Sequence, residues 1–109
     1  MLRLTVLIEN SAPDHLFAEH GLSLHLDYEG HSYLLDSGTS GLFVRNADLL
    51  GIDLSRVERA ALSHGHNDHA GGFPAFFHRN WQAPVLARPA AVQSYQKDTA
   101  DEACRPAGV

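Results

Sequence analysis

Four residues that can bind metal lie close together in the middle of the chain. They are three histidines and one aspartate within six consecutive positions: His64, His66, Asp68 and His69. This nitrogen and oxygen donor set favours Zn²⁺, with Fe or Mn as alternatives, and the lack of nearby cysteines argues against a structural zinc finger. The spacing therefore predicts a metal site. The competing interpretation is a histidine-rich loop exposed to solvent.

The segment before these residues, Arg59–Leu62, is apolar and strand-like. In an extended segment His64 and His66 point the same way, so both imidazoles could reach one cation. Asp68 and His69 lie at the start of a predicted helix and could supply a second cation. Two metals about 3.5–4 Å apart would lower the pKa of a bridging water and polarise a phosphoryl or carbonyl group. The expected chemistry is hydrolysis.

The elements that must position these residues follow from hydrophobic periodicity. Alternating apolar residues predict strands over 2–8, 22–28 and 31–36, the last two joined by a turn at Glu29–Gly30. Helical spacing predicts a turn over 15–18, a helix over 41–50 capped by Thr39 or Ser40, and a further turn over 53–57. Beyond these, the pattern predicts strands over 59–63 and 84–87, a helix from near Asp68 to about His78, and another from Pro89 to about Gln96. This order predicts an α/β fold, with helices packed on a mixed sheet.

The same periodicity predicts which side chains are buried. Leu22, Leu24, Leu26 and Tyr28 form the apolar side of the second strand, which leaves His25 on its polar side as a surface residue. Trp81 and the cluster Phe73, Phe76 and Phe77 are predicted to lie in the core.

Composition excludes several classes of function. A chain of 109 residues with 44% hydrophobic residues allows one domain with a modest core. Its net charge of −5 and the absence of a Lys/Arg cluster argue against nucleic-acid binding. The apolar run at residues 1–8 is too short for a membrane span and lacks the features of a secretory signal, and the single cysteine excludes an intrachain disulfide. A cytoplasmic location without membrane association is expected.

Beyond these patterns, the residues resemble a known family. The motif His64-x-His66-x-Asp68-His69, preceded by Leu62–Ser63 and followed by Gly71–Gly72, resembles the signature of metallo-β-lactamase-fold hydrolases. The upstream segment Leu34–Gly38 resembles that superfamily's earlier strand-end motif. Over roughly residues 2–90 the chain resembles the branch of 7,8-dihydropterin-6-methyl-4-(β-D-ribofuranosyl)-aminobenzene-5′-phosphate synthase, through the segments Glu9–Asn10, Glu19–Ser23, Asn46–Ala47 and Gly51–Ser55.

The resemblance implies roles for individual residues. His64 and His66 would bind one metal and Asp68 and His69 the other, with Asp68 also acting as a catalytic residue that guides protons. Asp36 would orient a ligand histidine without touching metal, since metal-bound imidazoles need a partner for their other nitrogen. Three further residues would line the substrate pocket or, alternatively, hold loops by hydrogen bonds: Glu9, Asn10 and His20.

The resemblance also implies that the chain corresponds to the N-terminal half of a four-layer αββα domain. The family completes its site with a later histidine, a bridging acidic residue and a final histidine, whereas this chain has only His78 after His69. We therefore expect a partial domain over 1–96 and a disordered tail over 97–109.

The expected function is a metal-dependent hydrolase that uses a metal-activated hydroxide on a small-molecule ester or phosphoester, with a pterin or phosphate-type substrate. The isolated chain is expected to bind metal weakly. The alternatives are a non-catalytic assembly module, working as a homo-oligomer or with a complementing C-terminal chain, and a degenerate product without function.

Overall fold

The computed structural model describes residues 1–90, in which five strands form one sheet in the order β1 to β5. The strands are β1 (Leu2–Ile8), β2 (Ser23–Tyr28), β3 (His31–Leu35), β4 (Arg59–Leu62) and β5 (Val85–Ala87). The first three strands are antiparallel, and β3, β4 and β5 are parallel. The helices are α1 (Leu42–Leu49), α2 (Asn67–Ala70) and α3 (Phe73–Arg79), with a 3-10 turn at Leu54–Arg56. The predicted mixed α/β sheet is confirmed.

The core lies between the sheet and helix α1. Phe43 and Ala47 of α1 are fully buried, and Leu34 and Ala60 of the two central strands are buried in the same cluster. Asn46 on the same helix is also buried, and its side-chain amide donates to the carbonyl oxygens of Leu7 (2.6 Å) and Phe17 (2.9 Å). Phe17 N–H donates in turn to Asn46 Oδ1 at 2.8 Å. Asn46 therefore fixes α1 against the end of β1 and the loop that follows it.

The prediction of which β2 side chains are buried is wrong. Ser23 and His25 are buried, while Leu24 and Leu26 are only partly covered and Tyr28 is exposed. The register explains the difference, because His25 lies opposite Leu34 on the face that packs against α1. Within residues 1–90 nothing covers the other face of the sheet. The apolar side chains that β1 and β2 carry there therefore point outward.

His25 is accordingly a buried residue and not a surface one. It is 6% exposed, and its Nε2 lies 2.7 Å from Ser32 Oγ. No other described residue offers Nδ1 a hydrogen-bond partner. Burial lowers the pKa of His25, against the opposing effect of the nearby Asp27 carboxylate. The neutral imidazole is favoured because a proton on Nδ1 would be buried without an acceptor.

The segment after β4 also differs from its prediction, because two short helices replace one. Helix α2 ends at Ala70 and α3 begins at Phe73, with Pro74 in its first turn. Between them, Gly72 N–H donates to Gly38 O (3.1 Å) and to Ser37 Oγ (2.9 Å). A Cβ at this position would overlap the carbonyl oxygens of Ser37 and Ser40, so only glycine allows the two loops to touch.

Four smaller predictions have different outcomes. Residues 14–15 form a turn and not a helix, and Gly41 precedes α1 in place of the predicted Thr39 or Ser40 cap. Phe73 and Phe76 are buried as predicted, but Trp81 is exposed because it follows the end of α3. The predicted helix beyond Ala90 and the tail over 97–109 lie outside the described residues. Within residues 1–90 no helix has the length and apolar character to cross a membrane.

Candidate metal centre

The site lies where two parallel strands end. The register pairs Leu35 of β3 with Ala61 of β4, so both carboxyl ends meet at the same edge of the sheet. Asp36 leaves β3 at this edge, and Ser63 and His64 leave β4 beside it. Loops that follow parallel strands are held by the sheet and are a common location for ligand-binding residues.

Three of the four predicted metal ligands come together here. Each of His64, Asp68 and His69 offers one ligand atom, and these atoms lie within 4.8 Å of one another. The rings of His64 and His69 are 4.0 Å apart between centroids, and His69 Nε2 lies 3.5 Å from Asp68 Oδ2. Helix α2 makes this possible, since its single turn brings Asp68 and His69 back toward the end of β4. All three side chains are partly buried.

His66 lies at the edge of this group. Its ring is 4.9 Å from that of His64, in an edge-to-face arrangement, and the residue is exposed. It does not belong to the group of three. The pairing of His64 with His66 on one ion therefore stays a prediction, as does the pairing of Asp68 with His69 on another.

Asp36 connects the two strand ends. It is 1% exposed, and its Oδ2 lies 2.8 Å from His69 Nδ1, which leaves His69 Nε2 free to face a metal. Its Oδ1 accepts a hydrogen bond from Ser63 N–H at 2.7 Å. Asp36 has a left-handed backbone, with φ of +58°, a conformation that aspartate tolerates better than most residues. This is the contact that an orienting role for Asp36 requires.

Two serines of the site had no role in the sequence-based prediction. Ser63 Oγ contacts Asp36 Oδ2 and lies 3.0 Å from His64 Nδ1, which leaves His64 Nε2 free. Ser37 Oγ is buried and donates to His69 O at 3.0 Å. Ser63 directly precedes His64, and this adjacency was the one available signal. The contact of Ser37 depends on tertiary structure.

The three predicted pocket residues lie on one side of the cluster, in the loops between β1 and β2. Glu9 is exposed, and its backbone carbonyl accepts from Glu19 N–H at 3.1 Å. Asn10 Oδ1 accepts from Gly21 N–H at 3.3 Å. Only His20 directs its side chain to the cluster, with Nε2 3.3 Å from Asp68 Oδ2. The backbone carbonyl of Glu9 and the side-chain oxygen of Asn10 therefore hold the loop. A role in the substrate pocket stays a prediction for both residues.

A separate cavity of about 750 Å³ lies elsewhere on the sheet, and none of the clustered residues lines it. Its walls include the buried His25 and residues beyond the end of α1, among them Leu50, Gly51 and Arg56. This cavity is therefore distinct from the histidine cluster.

Comparison with known proteins identifies the family. The family model of the metallo-beta-lactamase superfamily matches residues 18–101. The chain belongs to the metallo-beta-lactamase superfamily. The matched segment contains every clustered residue, together with Asp36.

Individual relatives agree with this assignment. The structure of Tm1679, described as a metal-dependent hydrolase of the beta-lactamase superfamily, is 39% identical with a TM-score of 0.61 and covers 69% of this chain. The Rm3 metallo-beta-lactamase is 31% identical over 66% of this chain, with a TM-score of 0.58. The uncharacterized protein MJ0448 of Methanocaldococcus jannaschii is 31% identical over 62% of this chain. The matches span 27%, 28% and 26% of these proteins respectively, so the chain corresponds to about a quarter of each.

The residues present fit the metal that membership of this superfamily implies. The donors are two imidazole nitrogens and a carboxylate oxygen, a set that Zn²⁺ accepts and that Fe or Mn also accept. The second nitrogen of each clustered histidine already has a partner, Asp36 for His69 and Ser63 for His64. Partnered rings of this kind are typical of metal-binding histidines.

Proposed function

We propose that this chain supplies one side of a metal-dependent hydrolase site that acts on a small-molecule ester or phosphoester. The observation that carries the proposal is the group His64, Asp68 and His69, with Asp36 bonded to the far nitrogen of His69. A structural zinc site is closed by four protein ligands, whereas a catalytic site leaves a position for water or substrate. Three clustered donors agree better with the second arrangement.

The chain's own residues would divide the work as follows. His64 and His69 present Nε2 to the metal, and His66 extends the donor set once its exposed ring turns inward. Asp68 contributes a carboxylate oxygen and, as the catalytic residue, accepts and returns a proton at that carboxylate during turnover. The bound metal, Zn²⁺ by preference, would supply an activated water nucleophile and polarise the scissile group. Asp36 keeps the His69 ring in one orientation and one tautomer.

The substrate class rests on the finer resemblance of the chain. The chain resembles the branch of 7,8-dihydropterin-6-methyl-4-(β-D-ribofuranosyl)-aminobenzene-5′-phosphate synthase, and this resemblance suggests a pterin or phosphate-type substrate. Its pocket would be lined by Glu9, Asn10 and His20, of which His20 is nearest to the cluster. A dinuclear centre and a cytoplasmic setting complete the proposal, the latter supported by the single cysteine.

A second candidate function, assembly with another polypeptide, is favoured by the open face of the sheet. Leu2, Leu4 and Tyr28 are more than half exposed on adjacent strands, an apolar surface of the kind that marks interaction sites. The occupant that we propose is a separate chain that brings a second apolar sheet and further metal ligands. The solved relatives contain far more chain than the quarter matched here, which supports this choice over a second copy.

Metal titration of the 109-residue chain tests the hydrolase proposal. After treatment with chelator, we expect the chain to bind Zn²⁺ or Co²⁺ weakly, and His69→Ala to remove this binding. His78→Ala, on the exposed side of α3, is the matched control and should bind like the wild type. Absence of any binding by the wild type would contradict the metal site. Tight binding of two ions by the monomer would contradict the need for ligands from another chain.

Complementation tests the two candidates against each other. The chain is mixed with a polypeptide that corresponds to the part of Tm1679 outside the matched 27%. Hydrolysis of a chromogenic phosphodiester is then followed with and without chelator. Chelator-sensitive activity that appears only in the mixture supports the hydrolase proposal and the separate partner together. A complex that forms without activity supports the assembly function alone. Self-association without complex formation identifies a second copy as the occupant.

A further inference from the structure

His20 contacts the group formed by His64, Asp68 and His69 from a loop that is remote in sequence. Its Nε2 lies 3.3 Å from Asp68 Oδ2, and the same oxygen lies 3.5 Å from His69 Nε2. One oxygen of the Asp68 carboxylate thus lies within 3.5 Å of two imidazoles. Of the two, His69 belongs to the group of three ligand residues and His20 does not.

The backbone around His20 is fixed directly against Asp68. The carbonyl oxygen of Asp68 accepts a hydrogen bond from Leu22 N–H at 3.2 Å. Gly21, with φ of +145°, allows this approach, because a Cβ at that position would lie 2.5 Å from the same oxygen. Thr39 Oγ1 donates to the carbonyl oxygen of His20 at 2.6 Å. The His20 ring is exposed, but the backbone beside it is hydrogen-bonded to Asp68, the residue that the ring contacts.

A carboxylate stabilises this loop from its other side. Glu19 accepts hydrogen bonds from Thr39 N–H and Ser40 N–H, each at 3.1 Å, and from Ser40 Oγ at 2.7 Å. With Asn10 bonded to Gly21, the loop is anchored to three separate segments. This anchoring fixes the backbone from which the His20 side chain extends toward Asp68.

We propose that His20 is a positioning residue that donates its Nε2–H to Asp68 Oδ2 and so holds the Asp68 carboxylate beside His69 Nε2, the nitrogen that faces the metal. The inference rests on the proposed function, since it concerns the same metal ligand. Partners that orient a metal ligand typically contribute about 10–100-fold to metal affinity.

The test measures Co²⁺ and Zn²⁺ affinity of the full chain by competition with a chromophoric chelator. His20→Ala is expected to weaken binding about 10–100-fold and to shift the visible absorption of the Co²⁺ form. His20→Gln keeps a donor of similar reach and should recover most of the affinity. His78→Ala should match the wild type. Thermal unfolding of the metal-free variants should be unchanged, which separates positioning of Asp68 from a general loss of structure.

Two results would overturn the inference. His20→Ala with wild-type affinity would show that the contact does not act on Asp68. His20→Gln as weak as His20→Ala would show that a hydrogen-bond donor at this position does not position Asp68. Failure of the proposed function is distinct, because the wild type would then bind no metal and His69→Ala would change nothing.

Discussion

At the scale of single residues, Asp36 shows how one buried carboxylate can organise a site. It contacts His69 within α2 and Ser63 just after β4, and it adopts a left-handed backbone conformation. For a residue other than glycine this conformation costs roughly 1–2 kcal/mol. The surrounding hydrogen bonds offset that cost, including those of Asp36 N–H to Ala61 O (2.9 Å) and of Ser23 Oγ to Asp36 O (2.7 Å).

Removal of the Asp36 charge should weaken metal binding. Asp36→Asn keeps the size of the side chain but replaces the carboxylate oxygen that faces His69 Nδ1. We expect metal affinity to fall by about 10–100-fold, measured by Zn²⁺ competition. Asp27→Asn, an exposed aspartate outside the cluster, is the matched control and should leave the affinity unchanged. Equal affinities for the Asp36 variant and the wild type would contradict an orienting role.

His25 should make stability depend on pH. Burial holds its folded-state pKa below the ordinary value of 6.5. Above that value the imidazole is neutral in both states. As the pH falls through about 6.5, the unfolded chain takes up a proton that the folded chain excludes, so the free energy of unfolding decreases, by at most about 1.4 kcal/mol per pH unit.

The variant His25→Gln isolates this contribution, because glutamine can still bond to Ser32 but does not titrate. Urea unfolding between about pH 7.5 and pH 5.5 should show a shallower loss of stability for the variant than for the wild type. Parallel curves for the two proteins would show that His25 is not excluded from protonation.

At the scale of elements, the position of α1 depends on one polar residue within an apolar helix face. Asn46 bonds to Leu7 O and to both backbone groups of Phe17, and all three contacts are between residues distant in sequence. A sequence pattern alone would assign this position to the core and predict an apolar residue. The amide is required because the chain between β1 and β2 is irregular and its backbone groups need partners.

Truncation of Asn46 should therefore destabilise the fold strongly. Asn46→Ala leaves the buried carbonyl of Leu7 and the partly buried backbone groups of Phe17 without partners, and we expect a loss of about 2–4 kcal/mol in the free energy of unfolding. Asp48→Ala removes only an exposed ion pair with Arg79 and should change stability little. Chemical denaturation of both variants checks the prediction. A loss for Asn46→Ala no greater than that for Asp48→Ala would contradict it.

At the scale of the whole molecule, the sheet has one covered face and one open face. Helix α1 covers the face that carries His25, Leu34 and Ala60, while Leu4 and Leu26 lie opposite each other on the open face. Burial of apolar area stabilises by about 25 cal/mol per Å². A polypeptide that covered this face would therefore gain stability without any change in the sheet itself.

A charge on the open face should weaken association without unfolding the chain. We expect Leu4→Glu to lower the binding of an apolar dye and to prevent capture of a complementing chain. Leu49→Glu, at an exposed leucine of α1, is the matched control and should behave like the wild type. A monomeric wild type that binds neither dye nor partner would contradict the assembly function.

The sequence alone predicted the five strands and a metal site with histidine and aspartate ligands. Alternation predicted β1 to β3 and short apolar runs predicted β4 and β5, since both patterns report local backbone geometry. The spacing of His64, His66, Asp68 and His69 predicted a metal site before any contact was known. The close approach of the His64, Asp68 and His69 side chains in the structure agrees with that prediction.

Tertiary structure decided which face of the sheet is covered and which side chains surround the ligands. The alternation of Leu24 and His25 looks the same whichever face meets α1, and only the position of that helix buried the histidine. The bond from Asp36 to His69 and the contact from His20 to Asp68 join residues 33 and 48 positions apart. Periodicity carries no information at such separations, because these distances are set by how the strands pair and where the loops between them are anchored.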